Sequence, residues 1–433
     1  MNILVIGNGF DLAHGLPTKY TDFLHFAQVY EECYKTEIIN SQEIVIDSEI
    51  KQCIVDLFRL KDNDSDLFKD AQNQPRREKV EVLIRELHNL IEDNFWIEYF
   101  QQCDMHGDEN WIDFESEISE VIKSFDKDIH NSNNKLYDEI VIRFTNDFLD
   151  TYHKFEDCQT YKKIRDILED DLNALIRALE IYLTEFARKI HCKFTSPDIR
   201  EAIEKSGKCM IGGTEVYICN VICFNYTDTY ERLYLKCSNA KNLIDYIHGK
   251  ANVNNTIESN NMVLGIDEYL SDDRKNKDID FIAFKKYYQR IHKQTGCKYK
   301  DWVTEITKDA DYDKLNALKY NLEYEENVKK GLDGFAHTAK QNLMKLKEQS
   351  IKHNLYIFGH SLDVTDKDIL RDLILNDNVY TTIFYHNKDT MGQQIANLVK
   401  VIGQDELIRR TGGSTKTIEF KLQQPMMSMV ADN

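Results

Sequence analysis

Apolar positions along the chain follow two rhythms. Short runs rich in β-branched and aromatic residues, bounded by turn formers, lie at Asn2 to Ile6, Val216 to Phe224, Leu243 to Ile247, Met262 to Ile266, Leu355 to Phe358 and Val379 to Tyr385. Each predicts a strand, and together they form three separated blocks. Between the first two blocks, roughly residues 30 to 205 keep the 3.6-residue period of amphipathic helices. Arg77 to Phe100 has apolar residues at Val80, Val82, Leu83, Leu87, Leu90 and Ile91, and Leu136 to Phe155 and Tyr161 to Ile190 repeat the pattern. A second helical stretch covers about Asp280 to Ser350.

Strands that are apolar throughout and alternate with helices predict a parallel sheet covered on both faces. Only 4 prolines and 17 glycines are present, so no linker is rich in either, and no repeat is visible. The expected fold is α/β: a discontinuous Rossmann-like core assembled from residues 1–29, 206–279 and 351–433, with large all-helical insertions at 30–205 and 280–350.

Composition narrows the function classes. The 433 residues are 42% hydrophobic, ample for a packed core. Acidic residues outnumber basic ones 74 to 55, a formal net of −19 that repels nucleic acid, and no basic stripe offsets it. The 10 cysteines are scattered behind no signal peptide, so reduced thiols and a cytoplasmic location are expected. No run approaches the ~20 apolar residues of a membrane span. Cys219 and Cys223 lack a second ligand pair at zinc-site spacing and read as core thiols, so no metal is expected. Walker, Gly-x-Ser-x-Gly and His-Glu-x-x-His motifs are absent.

Candidate chemistry gathers where predicted strands end. The first strand enters Gly7, Asn8, Gly9, Phe10 and Asp11, and a Gly-x-Gly turn between a buried strand and a helix can bring backbone N–H groups to a pyrophosphate. Leu12 stands where the dinucleotide fingerprint has its third glycine, and an ordinary tight turn also accounts for the pair. Asn225 ends the next strand with an amide that both donates and accepts, and Thr227 or Asp228 after it suit a helix cap. His248 ends the strand after that, which puts it on the same rim. Gly359, His360, Ser361 and Asp363 form a further strand-to-helix turn, with Thr365 or Asp366 as the helix cap. Asp113 and Glu115 in the first insertion read either as a solvated helix start or as carboxylates presented to a cleft, the first being the commoner role.

Taken together, Ile6 to Pro17, Phe224 to Asp228, Ile247 to Gly249 and Phe358 to Asp363 resemble the AbiH family of bacterial phage abortive-infection proteins, over Gly7 to Asp368. The resemblance implies antiviral defence in a bacterial cytoplasm, set off by a phage-derived trigger, and by itself implies no reaction. More distantly, the order of these motifs is similar to the sirtuin-like NAD-binding core of other phage-defence proteins. There a Gly-Ala-Gly turn holds the pyrophosphate, a strand-end Asn faces the nicotinamide ribose and a His-Gly supplies the base. Gly7, Asn8 and Gly9 match the first, Asn225 the second and His248 the third, with a similar 23-residue separation between the last two. Asp228 falls one position later than that pattern's acidic residue, and Asn8 replaces a small one. The four-cysteine zinc module of deacetylases is missing, which leaves NAD cleavage as the implication.

The resemblance thus implies NAD as substrate or ligand, with Asn225 and His248 catalytic. Gly7, Asn8, Gly9, Phe10, Asp11, Gly15, Pro17, Asp228, Gly359, His360, Ser361 and Asp363 would line the nucleotide. Two other classes remain open. One is a nucleotide-binding sensor without turnover, whose helical insertions assemble with a partner or further copies. The other is a metal-dependent hydrolase built on Asp11, Asp363 and Asp366.

Overall fold

The computed structural model describes residues 1–36, 46–62, 76–106, 112–131, 153–155, 160–211, 214–217, 219–235, 243–271 and 273–429. Six strands form one sheet: β1 (Asn2–Ile6), β2 (Asn220–Cys223), β3 (Ile244–Tyr246), β4 (His353–Phe358), β5 (Val379–Tyr385) and β6 (Ile418–Leu422). All neighbours run parallel, in the order β3-β2-β1-β4-β5-β6. This is the doubly wound Rossmann order, whose connections reverse direction between β1 and β4.

The reason for the sheet is legible in β1, buried at all five positions. Strand side chains alternate between faces. Ile3 and Val5 join Ile222, Leu355, Ile357 and Ile383 in one apolar layer, while Leu4 and Ile6 join Val221, Cys223, Phe358 and Phe384 in the other. Fifteen helices are described, of which some close these layers and others form a separate core. They are α1 (Asn8–Ala13), α2 (Tyr20–Thr36), α3 (Ser48–Asp62), α4 (Arg76–Ile91), α5 (Phe95–His106), α6 (Phe114–Asn131), α7 (Tyr161–Glu185), α8 (Pro197–Glu204), α9 (Thr229–Tyr234), α10 (Lys286–His292), α11 (Tyr299–Lys329), α12 (Asp333–Glu348), α13 (Lys367–Ile374), α14 (Lys388–Ile402) and α15 (Gln404–Thr411). Ile199 and Tyr230 cover one face, and Ile369, Leu373 and Leu398 cover the other.

The first insertion has its own core, in which Phe23, Phe26, Tyr30, Trp96, Phe100, Phe114 and Tyr182 are almost fully buried. Among its described residues it is helical apart from Phe194–Thr195, which pairs antiparallel with Met427–Ser428. Helix α2 begins at Tyr20, so the expected boundary at residue 29 falls inside it. The expected helix over Leu136 to Phe155 lies largely outside the described residues, with only a short 3-10 turn at His153–Phe155 described.

Three strand expectations differ from the structure. Met262 to Ile266 forms no sheet strand; Met262, Leu264 and Ile266 belong to the helical core instead. There the side-chain amide of Gln289 replaces a neighbouring strand, donating to the Leu264 carbonyl (3.0 Å) and accepting its N–H (3.0 Å). The run Val216 to Phe224 divides, because Thr214–Tyr217 turns back on Lys208–Ile211 before Asn220 enters the sheet. Strand β6 came without a predicted counterpart, its outer residues being only half-buried.

One close approach sets the sheet's carboxyl rim. Gly359 after β4 has φ +65, and a Cβ there would lie 2.2 Å from the Phe10 nitrogen. Gly359→Ala combines left-handed strain with a backbone clash. It should lower the unfolding free energy by about 3 kcal/mol in chemical denaturation; a loss under about 1 kcal/mol would contradict the approach.

Candidate functional site

Gly7 ends β1 and N-caps α1 without a side chain. The N–H groups that the sequence offered to a phosphate are engaged by protein: Gly7 donates to the Phe358 carbonyl (3.3 Å), Gly9 to the Gly359 carbonyl (2.8 Å) and Phe10 to the Gly7 carbonyl (2.8 Å). A Cβ at Gly7 would meet the Gly359 oxygen at 2.7 Å, and one at Gly9 the Gly359 Cα at 2.9 Å. The glycines are required here by two backbone turns pressed together. As described, the Gly7, Gly9 and Phe10 N–H groups are thus held by protein carbonyls rather than free.

Its neighbours hold the bend in place. Asn8 is locked to Thr18, donating to its carbonyl (3.1 Å) and accepting its hydroxyl (2.7 Å). Gly15 takes the left-handed φ of +83 that ends the turn, and the Pro17 carbonyl accepts the Tyr182 hydroxyl (2.8 Å). Phe10 is a core residue, fully buried against His14, Tyr230, Tyr234 and Phe358. Asp11 is buried too. Its Oδ2 accepts the Thr227 hydroxyl (2.7 Å), its Oδ1 has no partner, and burial pushes its pKa up to about 6.

Asn225 and His248 follow neighbouring strands, each two residues beyond the paired Cys223 and Tyr246. Both are buried on the same rim. Asn225 is 5% exposed, and neither its Nδ2 nor its Oδ1 has a hydrogen-bond partner. A buried amide without partners costs on the order of 1–3 kcal/mol per group, so such groups call for an explanation. The His248 Nε2 lies 3.1 Å from Asp366 Oδ1, with the Phe224 ring edge-on at 5.3 Å.

Around that pair lies a set of charges assembled from three parts of the chain. Lys286 Nζ, at the start of α10, contacts Glu115 Oε2 (2.6 Å), Asp366 Oδ1 (3.3 Å) and Thr365 Oγ1 (3.1 Å). His360 Nε2 approaches Asp366 Oδ2 at 3.5 Å, while its Nδ1 accepts the Leu362 N–H (2.9 Å). Burial works against each charge. For Lys286 the facing carboxylates of Asp366 and Glu115 outweigh it and hold the pKa above the usual lysine range. Burial raises Glu115 to about 7 despite the ammonium beside it. For Asp366, burial opposes ionisation, but Lys286 and His248 prevail and keep the carboxyl well below its usual range. Burial, helped by Lys286, depresses His248 below its ordinary value. A neutral His248 beside an anionic Asp366 donates its Nε2–H, which leaves Nδ1 as the ring's acceptor.

Two local readings are thereby refined. Asp366 is the N-cap residue of α13, as the sequence allowed, but its side chain bonds no helix N–H and its carboxylate is turned to the cluster; Asp363 caps the preceding 3-10 turn Val364–Asp366, accepting the Thr365 N–H (3.0 Å). Asp113 caps α6 at the surface as a helix start should, accepting the Glu115 N–H (3.0 Å), whereas Glu115 reaches inward to Lys286. Lys286 was not anticipated at all, since nothing distinguishes it locally from its neighbour Lys285, which pairs with Glu268.

Beside the cluster opens a cleft of about 470 Å³. Its lining includes Leu16, Thr18, Tyr226, Asp228, Arg188, Arg232 and Lys250. Asp228 binds Arg188 (3.0 Å) and Arg232 (3.2 Å), and Lys250 binds Glu231 (2.6 Å). Tyr226 stands between the cleft and His248, its ring 6.4 Å from the imidazole and its hydroxyl donating to the Val263 carbonyl (2.8 Å). Ser361 is exposed near α14, where its carbonyl accepts from Asn397 (3.0 Å). Among the described residues, no three His, Cys, Asp or Glu side chains are grouped to hold a metal ion, and no helix is long and apolar enough to cross a membrane.

Asp11 supplies a pH test. Its native pKa, up from 3.8 to about 6, exceeds the unfolded one, so the native state binds the proton more tightly. Its contribution is therefore fully present below about pH 4 and lost as pH rises through about 6, by at most about 3 kcal/mol. Asp11→Asn keeps an acceptor for Thr227. It should melt higher than the parent at pH 7.5 and lose that advantage near pH 4; equal melting at pH 7.5 would show that burial does not strain Asp11.

No curated protein and no solved structure matches the chain. A family model described as "Bacteriophage abortive infection AbiH" matches residues 3–386. The chain, carrying its glycine bend, strand-end Asn225 and His248, and Asp366 within that span, therefore belongs to the AbiH family of phage abortive-infection proteins.

Proposed function

We propose that this abortive-infection protein binds NAD or a related nucleotide and hydrolyses its nicotinamide–ribose bond in infected cells. The observation that carries the reading is Asn225: a buried amide with both polar atoms unpartnered, on the rim that also holds His248. In the reaction the glycosidic bond breaks with its electron pair going to the pyridinium ring, so nicotinamide leaves neutral. Water adds to the anomeric carbon, and its proton passes to the His248 Nδ1. The Asn225 amide holds the ribose hydroxyls or that water. Asp366, kept ionised by Lys286, fixes the imidazole tautomer, and the depressed pKa of His248 keeps it a base at neutral pH. The cleft beside Tyr226 takes the rest of the nucleotide, with Lys250, Arg188 and Arg232 near its phosphates.

In this reading the described form is restrained. Asn225 and His248 do not line the cleft, and Glu115 from one insertion meets Lys286 of the other over Asp366. Substrate reaches the rim when that contact parts. The same seal favours a second reading, a sensor that binds nucleotide without turnover.

Purified protein incubated with NAD, with and without lysate of phage-infected cells, decides between them by nicotinamide release. Triggered wild type should release nicotinamide, and Asn225→Ala should lose at least about 100-fold of that rate. Wild type and Asn225→Ala equally inert under every trigger would overturn the enzyme reading; tight ADP-ribose binding without product would establish the sensor. A further expectation concerns the seal. At pH 8, where Glu115 is mostly ionised, Glu115→Gln removes the charge facing Lys286 while keeping its shape, so basal nicotinamide release should rise several-fold without trigger, whereas an unchanged basal rate would show that Glu115 does not restrain the site.

A further inference from the structure

Helix α11 carries apolar stripes on opposite sides. One includes Ile306, Ala310, Ala317 and Tyr320 at heptad spacing; Ile306 is buried in the apolar layer of the sheet and the other three are half-buried, on a helix that packs along α12. The other, Leu315, Leu318 and Leu322, faces away from that contact and is 65%, 58% and 58% exposed. A three-leucine stripe in water, on a helix already satisfied on its other side, is the signature of a helix that packs against another.

The residues flanking the stripe identify the partner. Continued by one step at its start and two at its end, the three-and-four spacing reads Asp311, Leu315, Leu318, Leu322, Glu325, Lys329, alternating the d and a positions of a coiled coil. In antiparallel pairing, a positions meet d positions. Laid against itself in that register, α11 puts Leu318 opposite the second copy's Leu322, twice, at the centre. Leu315 then covers the stem of the second copy's Glu325, and Asp311 meets the second copy's Lys329 at each end. The seam is complementary to itself about a two-fold axis, as a closed dimer requires.

We infer that the chain forms an antiparallel homodimer through this face of α11. The base of the hairpin is held to α13 by Lys300–Asp372 (2.6 Å) and to the residues just before β4 and β5 by Lys352–Asp313 (2.7 Å) and the Asn378 amide on the Ile306 carbonyl (2.9 Å), so the stripe is presented on a fixed support. Asp311 to Lys329 spans roughly 27 Å of helix. Six leucines and the flanking stems cover on the order of 1,000 Å², at the low end for specific interfaces, which gives an association in the micromolar range. The inference is independent of the nucleotide reading, since neither the seam nor its test involves a ligand.

Sedimentation velocity on the full chain, from below ~1 µM to about 100 µM, tests it. Wild type should shift from one-chain to two-chain mass. Leu318→Glu/Leu322→Glu, at exposed positions that leave the core untouched, should remain at one-chain mass. Asp311→Lys should weaken dimerisation at least tenfold by facing Lys329 with a like charge, and Asp311→Lys/Lys329→Asp should restore it. Wild type at one-chain mass throughout, a dimer surviving the double glutamate variant, or a charge swap that fails to restore association would each overturn the proposal.

Discussion

The ammonium of Lys286 is the group on which the arrangement of the rim depends. It is 3% exposed and contacts carboxylates from two other parts of the chain, Glu115 of the first insertion and Asp366 beyond β4. Removing one member of a buried ionic set leaves the others uncompensated, a loss of several kcal/mol. The contact therefore does more than join elements. It fixes the charge of Asp366, through Asp366 the orientation of His248, and through Glu115 it ties the start of α6 to the cluster. Two helical insertions and a strand-built core, well separated in sequence, meet at one nitrogen.

The parts of this that could be read from sequence are those encoded locally. Asn2–Ile6 and Val379–Tyr385 are strands with the expected bounds, because a run buried on both faces must be apolar at every position. Asn225 and His248 fall on one rim because they end successive parallel strands, a consequence of topology alone. Met262 to Ile266 defeats the same reasoning: burial against helices asks for the same residues as burial in a sheet, and Gln289 satisfies the backbone that a strand otherwise would. Asp366 defeated it differently. An acidic residue before a helix is usually a cap, and only the distant Lys286 and His248 show why this carboxylate turns away. Lys286 and Glu115 are partners across 171 residues, a pairing that no local pattern carries.

Burial and solvation divide the candidate site into two zones. The inner zone is buried, and burial together with neighbouring charges sets its protonation: Asp366 ionised, His248 neutral, and Glu115 lifted to about 7, so that it changes charge near neutral pH. The outer zone is the cleft, where Arg188 and Arg232 neutralise Asp228 in contact with water. Tyr226 stands at the partition, tied to the Val263 carbonyl. In a low-dielectric pocket a ligand's charge interacts strongly with fixed groups, whereas at the mouth the same charge is screened. On the proposed reading, the reacting bond belongs in the first zone and the phosphates in the second.

The glycine clasp bears on where any such ligand lies. In a doubly wound sheet, the crevice between β1 and β4 is the customary seat of a diphosphate. Here the Gly359 carbonyl already accepts the Gly9 N–H. The chain acts as its own anion surrogate, a peptide oxygen standing where a phosphate oxygen otherwise would. With that seat taken, the proposed reading puts the nucleotide of this form one strand to the side, toward the ends of β2 and β3, and the polypeptide itself dictates the detour.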